Sequence, residues 1–395
     1  MSNHDAPRPV GGRLVSPFVS GLLGLIVLAG FLLLWRFTSG LGAVTALNDG
    51  YPWGLWIAFD VVVGTALACG GYALAILVYV LNKGEYHPLV RPAILTSALG
   101  YTLAGAAIVI DVGRYWNLFL IPVRPWTWNL HSPLLEVALC VMSYIVVLWI
   151  ELSPALFEKW RAAGDEERAR RGERALRVWG KVAAFVVALA LLLPTMHQSS
   201  LGTVMLLAGP KLHPLWNTPM LPLLFLVSCI AMGYGAVIFE ASVAGAVFGR
   251  PRHLPMLAKL SGAMVVVLGV YLVLRIADVV VRGQLGAAFG TVWGLLFWLE
   301  TALFAVPLVM LASPARRRRF PVLFRAASLM LLAGAVYRFD TYLVAFRPGA
   351  QWVYFPSLWE ILVTAGVVAV EILAYLFIVK RFPILAGGRA AGSVS

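Results

Sequence analysis

The sequence predicts an all-α, polytopic membrane protein of about ten transmembrane helices. Three observations carry this. Apolar residues make up 61% of the 395 and charged residues only 12%, about half the charged share of a soluble domain. The chain divides into ten nearly charge-free windows of about 20 residues, each long enough to cross a bilayer. The Lys and Arg residues gather between windows on alternate sides, as the positive-inside rule requires. The chain reads as one integral membrane domain over 1–395, with a short N-terminal arm (1–14) and a charged loop (153–176).

The cores of the ten spans are 15–35, 53–81, 90–112, 133–152, 177–194, 219–247, 257–280, 291–313, 321–344 and 357–381. The first begins after a polar arm ending at Arg13. It is too long for a signal-peptide core, and Trp35-Arg36 follows it instead of a small-residue cleavage site. The second opens with Tyr51-Pro52-Trp53-Gly54-Leu55-Trp56-Ile57-Ala58-Phe59-Asp60. Pro52 suits the first turn of a helix, where its missing N–H costs nothing. Trp53 and Trp56, three apart, share one face where an aromatic belt is expected. Asp60 lies roughly 12 Å further along. A carboxylate at that depth is costly and is by default a functional group; the plainer reading is an Asp paired to an Arg for packing. The fifth span is short. The stretch Thr195-Met196-His197-Gln198-Ser199-Ser200 after it is too polar to face lipid, so 196–210 is expected to be re-entrant or interfacial.

Charge orients the chain. The side holding both termini carries 23 Lys and Arg, the other carries six, and Arg275 and Arg338 lie inside spans. This sets both termini in the cytoplasm. The net charge of +13 sits in short loops, not on a folded basic face, so it does not signal nucleic acid. The run Arg316–Arg319 suits lipid headgroups. The 153–176 loop has dense mixed charge, as in a solvated surface helix, and is too small for a catalytic domain. Any soluble redox or hydrolytic headpiece is therefore another polypeptide. Cys69, Cys140 and Cys229 lack metal-binding or disulfide spacing and read as buried thiols.

A weak internal echo suggests two related four-helix bundles, spans 2–5 and 6–9, with the first and last spans flanking them. Asp111 and Arg114 end the third span as Asp278 and Arg282 end the seventh, and Glu136 and Glu300 extend the parallel.

Orientation brings Trp53, Trp56, Asp60, Asp111, Arg114, His131 and Glu136 toward one level near the external face. A quinone headgroup needs hydrogen-bond donors for its carbonyls and two protons with two electrons on reduction, and this set can supply them. The competing reading is a lateral salt-bridge cluster, in part Arg114 with Asp111. Glu136, Tyr101, Glu240 and Glu151 are spaced through the spans as a proton route would require. Glu300 and Glu371 are also mid-span, with no partner apparent. Arg275 and Asp278, close on one helix, are candidates to pair. None of the six histidines (His4, His87, His131, His197, His213, His253) appears central in a span, so no haem is expected, since a membrane haem needs facing axial ligands. No metal is expected on this chain, and His87 and His253 read as solvated loop residues. A secondary transporter is the rival class. It is disfavoured because helix-breaking Gly and Pro do not recur at matching midplane positions.

The block Gly42-Ala43-Val44-Thr45-Ala46-Leu47-Asn48-Asp49-Gly50, running into Tyr51–Asp60, resembles the NrfD/polysulfide-reductase-C superfamily of haem-free quinone-reactive membrane subunits. So do Tyr86-His87 with Val90-Arg91-Pro92-Ala93, Leu135-Glu136-Val137, Glu151-Leu152-Ser153-Pro154 and Phe239-Glu240-Ala241. Within the superfamily the sequence is most similar to the hydrogenase-2 (HybB) type. The resemblance implies a bacterial inner-membrane complex with large and small [NiFe]-hydrogenase subunits in the periplasm. A periplasmic ferredoxin-like iron–sulfur subunit would pass electrons to menaquinone or ubiquinone on this chain. It also implies Asp60 and Glu136 at the quinone, Glu240 on a proton path and Glu151 at its cytoplasmic mouth. Related anchors serve polysulfide, nitrite and molybdoenzyme complexes, so the resemblance alone does not fix the partner.

Overall fold

The computed structural model describes residues 6–250 and 253–387; His4, Arg252 and Arg389 lie outside them. Ten helices are long and apolar enough to cross a membrane. They are α1 (Pro17–Ser39), α2 (Trp56–Val80), α3 (Gly84–Asp111), α4 (Pro133–Arg161), α5 (Glu166–Leu206), α6 (Leu221–Val247), α7 (Leu254–Val281), α8 (Val292–Leu311), α9 (Phe320–Val344) and α10 (Leu358–Arg381). The protein is a multi-pass integral membrane protein.

Local sequence sets the helix starts. Ser16, Ser132, Asp165, Thr291 and Ser357 each accept a hydrogen bond from a first-turn N–H of α1, α4, α5, α8 and α10. This satisfies donors that would otherwise be orphaned. At Ser357 the cap is reciprocal, with Glu360 returning a bond to the Ser357 N–H. Helix α2 is not regular. It is wound with wider, i→i+5 turns over Trp56–Val63 and Ile76–Val80 and breaks at Ala68–Cys69. Asp340–Val344 at the end of α9 has the same wide winding. Such turns are uncommon and concentrate at functional sites.

The packing order is a ring of α2, α3, α4 and α5, and a second ring of α6, α7, α8 and α9. The rings meet where α2 and α5 touch α6 and α2 touches α9. Helices α1 and α10 pair with each other outside the rings, and α10 leans on α2 and α3. The termini come together at one end: Arg8 N–H donates to Leu385 O at 2.9 Å and Val10 N–H to Val379 O at 2.9 Å. The block around Tyr51 lies at the opposite end.

One expectation changes here. The fifth helix is neither short nor followed by a re-entrant piece; α5 runs unbroken for 41 residues. Thr195 to Ser200 lie inside it, and His197, Gln198 and Ser200 are buried against the protein. Hydropathy marks these residues as unfit for lipid, but a helix can turn them inward. The 153–176 loop is mostly helical, as its mixed charge suggested. Helix α4 continues to Arg161, and α5 starts at Glu166. The two cross closely enough that a Cβ on Gly172 would sit 2.6 Å from Phe157 O and from Arg161 N, so only glycine fits.

Candidate functional site

The block before α2 is fastened to the start of α10. Leu55 N–H donates to the Tyr354 hydroxyl at 2.7 Å, and that hydroxyl donates to Glu360 Oε1 at 2.5 Å. Glu360 Oε2 accepts Ala46 N–H at 3.0 Å and Ser357 N–H at 2.8 Å. Gly50 lies flat against Trp352, where an added Cβ would come within 2.3 Å of the ring. The two tryptophans belong to this fastening. Trp53 Nε1–H donates to Tyr342 O at 2.9 Å, and Trp56 Nε1–H to Glu360 O at 3.2 Å. Trp56 is buried with Leu32, Val44, Ile110 and Val363, inside the protein and away from an outer aromatic belt. Glu360→Ala would leave two backbone N–H groups and a phenol without their acceptor. With hydrogen bonds to a charged group worth about 1.5–3 kcal/mol each, a loss of roughly 3 kcal/mol is expected, read as a fall in thermal midpoint in detergent. An unchanged midpoint would mean that the block holds itself.

That fastening positions Asp60. It is buried, and Thr364 Oγ1–H on α10 donates to its Oδ2 at 2.8 Å. Asp111, at the end of α3, is buried with Oδ1 unpartnered. Its cation comes from α1: Arg36 is buried, donates to Ile110 O at 2.6 Å and Val112 O at 2.7 Å, and so grips the backbone on both sides of Asp111. Phe37 and Tyr115 cover the guanidinium, with ring centroids 4.6 and 5.4 Å away. Asp60 is within electrostatic reach of Asp111 and of Glu371 on α10, and Asp111 within reach of Glu360. Four carboxylates from α2, α3 and α10 thus form an electrostatically linked series, with Arg36 beside Asp111. Such a set can hold and pass protons in a medium that strengthens every charge interaction.

Arg114 and His131 are exposed, and Glu136 sits half-buried in the first turn of α4. Among the described residues none of the three forms an ion pair or side-chain hydrogen bond with Asp60 or Asp111. Asp111 is served by Arg36, not by Arg114.

The remaining route residues separate. Tyr101 is fully buried; Gln198 Nε2–H donates to its hydroxyl at 3.3 Å and to Thr65 Oγ1 at 3.2 Å. His197 lies beside it, centroids 5.7 Å apart, with neither ring nitrogen bonded. Glu240 accepts the Tyr375 hydroxyl at 2.8 Å. It also lines a cavity of about 30 Å³ at the end where the termini meet, shared with Pro88, Pro92, Arg250, His253 and Ala386. His253 is thus not a freely solvated loop residue; its Nε2 is buried and unpartnered. Among the described residues, no hydrogen bond joins Glu136, Tyr101, Glu151 and Glu240 to one another. The sequence reading missed Arg36, Thr364 and Tyr375. For the last two a signal existed: Thr364, Glu371 and Tyr375 fall seven and four apart, on one face of a helix.

The second ring holds two internal ion pairs. Arg275 pairs with Glu300 at 3.4 Å, both about 1% exposed, and Trp216 Nε1–H donates to Glu300 Oε2 at 2.9 Å. Asp278 pairs with Arg282 at 2.7 Å, not with Arg275. Arg282 also donates to Pro214 O and Asn217 O, at 2.7 and 2.9 Å. The cysteines are free and buried. Among the described residues no group of histidine, cysteine and carboxylates could hold a metal ion.

Residues 43–345 match the family described as "Polysulphide reductase, NrfD". The chain is 44% identical over 391 residues to the "Probable Ni/Fe-hydrogenase 2 b-type cytochrome subunit" of Escherichia coli, covering 97% of this chain and 96% of that one. It is 28% identical over 319 residues to the "Menaquinone reductase, integral membrane subunit" of Nitratidesulfovibrio vulgaris, covering 74% and 72%. The first of these names corrects the cofactor expectation: a relative this similar is named a b-type cytochrome subunit, which implies haem, so the expectation of no haem is overturned. The premise behind it also fails, since His197 is central and buried. The described residues nevertheless do not complete a two-histidine haem site. His87 and His131 are exposed, His213 is stacked on Trp293 at 4.9 Å, and His253 lies at the far end by Glu240, so no second imidazole faces His197. The matched span and the overall identity establish that the chain belongs to the NrfD family of polytopic membrane subunits of oxidoreductase complexes.

Proposed function

We propose that this chain is the quinone-reactive subunit of a respiratory complex in the bacterial inner membrane, with both termini cytoplasmic. Electrons from a periplasmic [NiFe]-hydrogenase pass through a ferredoxin-like iron–sulfur subunit to menaquinone or ubiquinone at the external end of the first ring. The relatives' names support the class of partner and substrate. The observation that carries the reading is the meeting of Asp60, Asp111 and Arg36 just beneath the face opposite the termini. Quinone reduction consumes two protons with two electrons, and a buried carboxylic acid held by one hydroxyl is a competent donor to a quinone oxygen. Arg36 keeps a positive charge beside the site and favours electron density arriving there.

The test is purification of the chain with whatever it assembles with, followed by hydrogen-driven menadione reduction. Co-purification of hydrogenase and iron–sulfur subunits with that activity is the expected result. A different oxidoreductase headpiece would retain the quinone reading and discard the hydrogenase. A chain that purifies without any redox partner would overturn both.

A further inference from the structure

We propose that α10 carries the proton wire of this chain, with Glu371 as its central relay between Asp60 and a cytoplasmic opening at Glu240. The inference rests on the quinone-reactive reading and names the route by which its protons arrive.

The polar side chains of α10 share one helix face. Glu360, Thr364, Glu371 and Tyr375 are four, seven and four residues apart, so they fall within a stripe roughly 60° wide and about 22 Å long at 1.5 Å per residue. Each has a defined neighbour from another helix. Thr364 donates to Asp60 on α2. Glu371 lies beside α3, with Oε1 3.6 Å from where a Cβ on Gly100 would be, and within electrostatic reach of Asp60. Tyr375 donates to Glu240 on α6. Among the described residues Glu371 accepts no hydrogen bond from a side chain, although it stands mid-span, where an ionisable group is expensive to keep. A purely structural acid would be paired, as Glu300 is with Arg275 and Trp216.

A small cavity lies at the cytoplasmic end. The cavity of about 30 Å³ holds roughly one water, and its walls include Glu240 and His253. The buried, unpartnered Nε2 of His253 gives such a water a partner. Arg250 roofs the cavity by donating to Arg8 O at 3.1 Å and Pro9 O at 2.9 Å, so the N-terminal arm lies over the opening.

The transfer balances simply. A proton from cytoplasmic water binds the Glu240 carboxylate. Glu240 passes it to the Tyr375 oxygen as the Tyr375 hydroxyl proton moves, through water, to the Glu371 carboxylate one helical turn away. Glu371, now protonated, delivers its proton through water to the Asp60 carboxylate, about 10 Å along the helix axis, and Asp60 donates it to a quinone oxygen. Each residue returns to its starting state, and two such passages accompany the two electrons from the partner chain.

The test uses the full complex in sealed liposomes. Glu371→Gln is expected to lower hydrogen-driven menadione reduction about tenfold or more and to abolish proton uptake from the side bearing the termini. Binding of a hydroxyquinoline N-oxide, and hydrogen-driven reduction of a viologen dye at the hydrogenase, are expected to stay at wild-type levels. Glu371→Asp should restore part of the uptake. Tyr375→Phe, which keeps the ring and removes only the hydroxyl, should show the same uptake defect should the Gln variant fail to assemble. Wild-type menadione reduction and proton uptake in Glu371→Gln and Tyr375→Phe would overturn the wire and leave the quinone reading standing. A wild-type complex that neither reduces menadione nor binds the N-oxide would instead overturn the quinone reading, and the wire with it.

Discussion

Asp60→Asn is expected to lower hydrogen-driven quinone reduction by about 10²-fold or more while leaving the complex assembled. The magnitude is that of removing a positioned proton donor. The substitution keeps shape, and an Asn oxygen can still accept the Thr364 hydroxyl that now reaches Asp60 at 2.8 Å, so folding should survive. What Asn cannot do is cycle a proton. Steady-state menadione reduction, with viologen reduction as the control for the hydrogenase, separates the two. Thr364→Val sharpens the test: it removes the hydroxyl that orients the carboxyl but leaves the carboxyl itself, so a smaller loss is expected than for Asp60→Asn. Wild-type turnover in Asp60→Asn would mean that protons reach the quinone without Asp60, and the site would have to be sought elsewhere.

Glu300→Ala is expected to be among the most destabilising single changes in the chain. Glu300 and Arg275 are each about 1% exposed and 3.4 Å apart. Arg275 keeps one bond to Leu215 O at 2.8 Å and lies over Phe297, 4.9 Å from its ring, but among the described residues no other carboxylate pairs with it. Removing one member of a buried pair typically costs about 3–5 kcal/mol, because the other charge is stranded. The Trp216 indole loses its acceptor as well. Replacing both residues together, as Arg275→Met with Glu300→Leu, is expected to recover most of the loss, since a packed apolar pair can equal a buried ionic one. The measurement is the thermal midpoint of the three variants in one detergent. A double variant no more stable than Glu300→Ala would show that the pair does more than neutralise itself.

The class, the number of spans and their order could be read directly from the sequence. Hydropathy is a local property, and a window of about 20 apolar residues has few alternatives in a bilayer. The two rings also follow from order, since short connections make consecutive helices neighbours. Asp60 stood out because an isolated carboxylate in an apolar run is unusual wherever it points. The length of α5 was misjudged because hydropathy cannot tell a polar patch that leaves the membrane from one that turns into the protein.

Partnership is what only the tertiary structure decided. Asp111 looked served by Arg114, three residues away, yet Arg36 from another helix lies beside it and grips the backbone on either side. Asp278 looked like a partner for Arg275, yet pairs with Arg282 one turn on. Trp56 looked like a belt residue, yet lies in the seam between α1, α3 and α10. The physical reason is rotation. Each residue turns a helix by about 100°, so which polar group faces which depends on how ten cylinders are rotated and stacked. The packing of their apolar surfaces sets that angle, and no single segment carries it. The sequence thus determined that charges lie within the membrane; the fold determined that Arg275 pairs with Glu300 and Asp278 with Arg282 in the second ring, while Asp60, Glu371 and Glu240 lie along the face of α10.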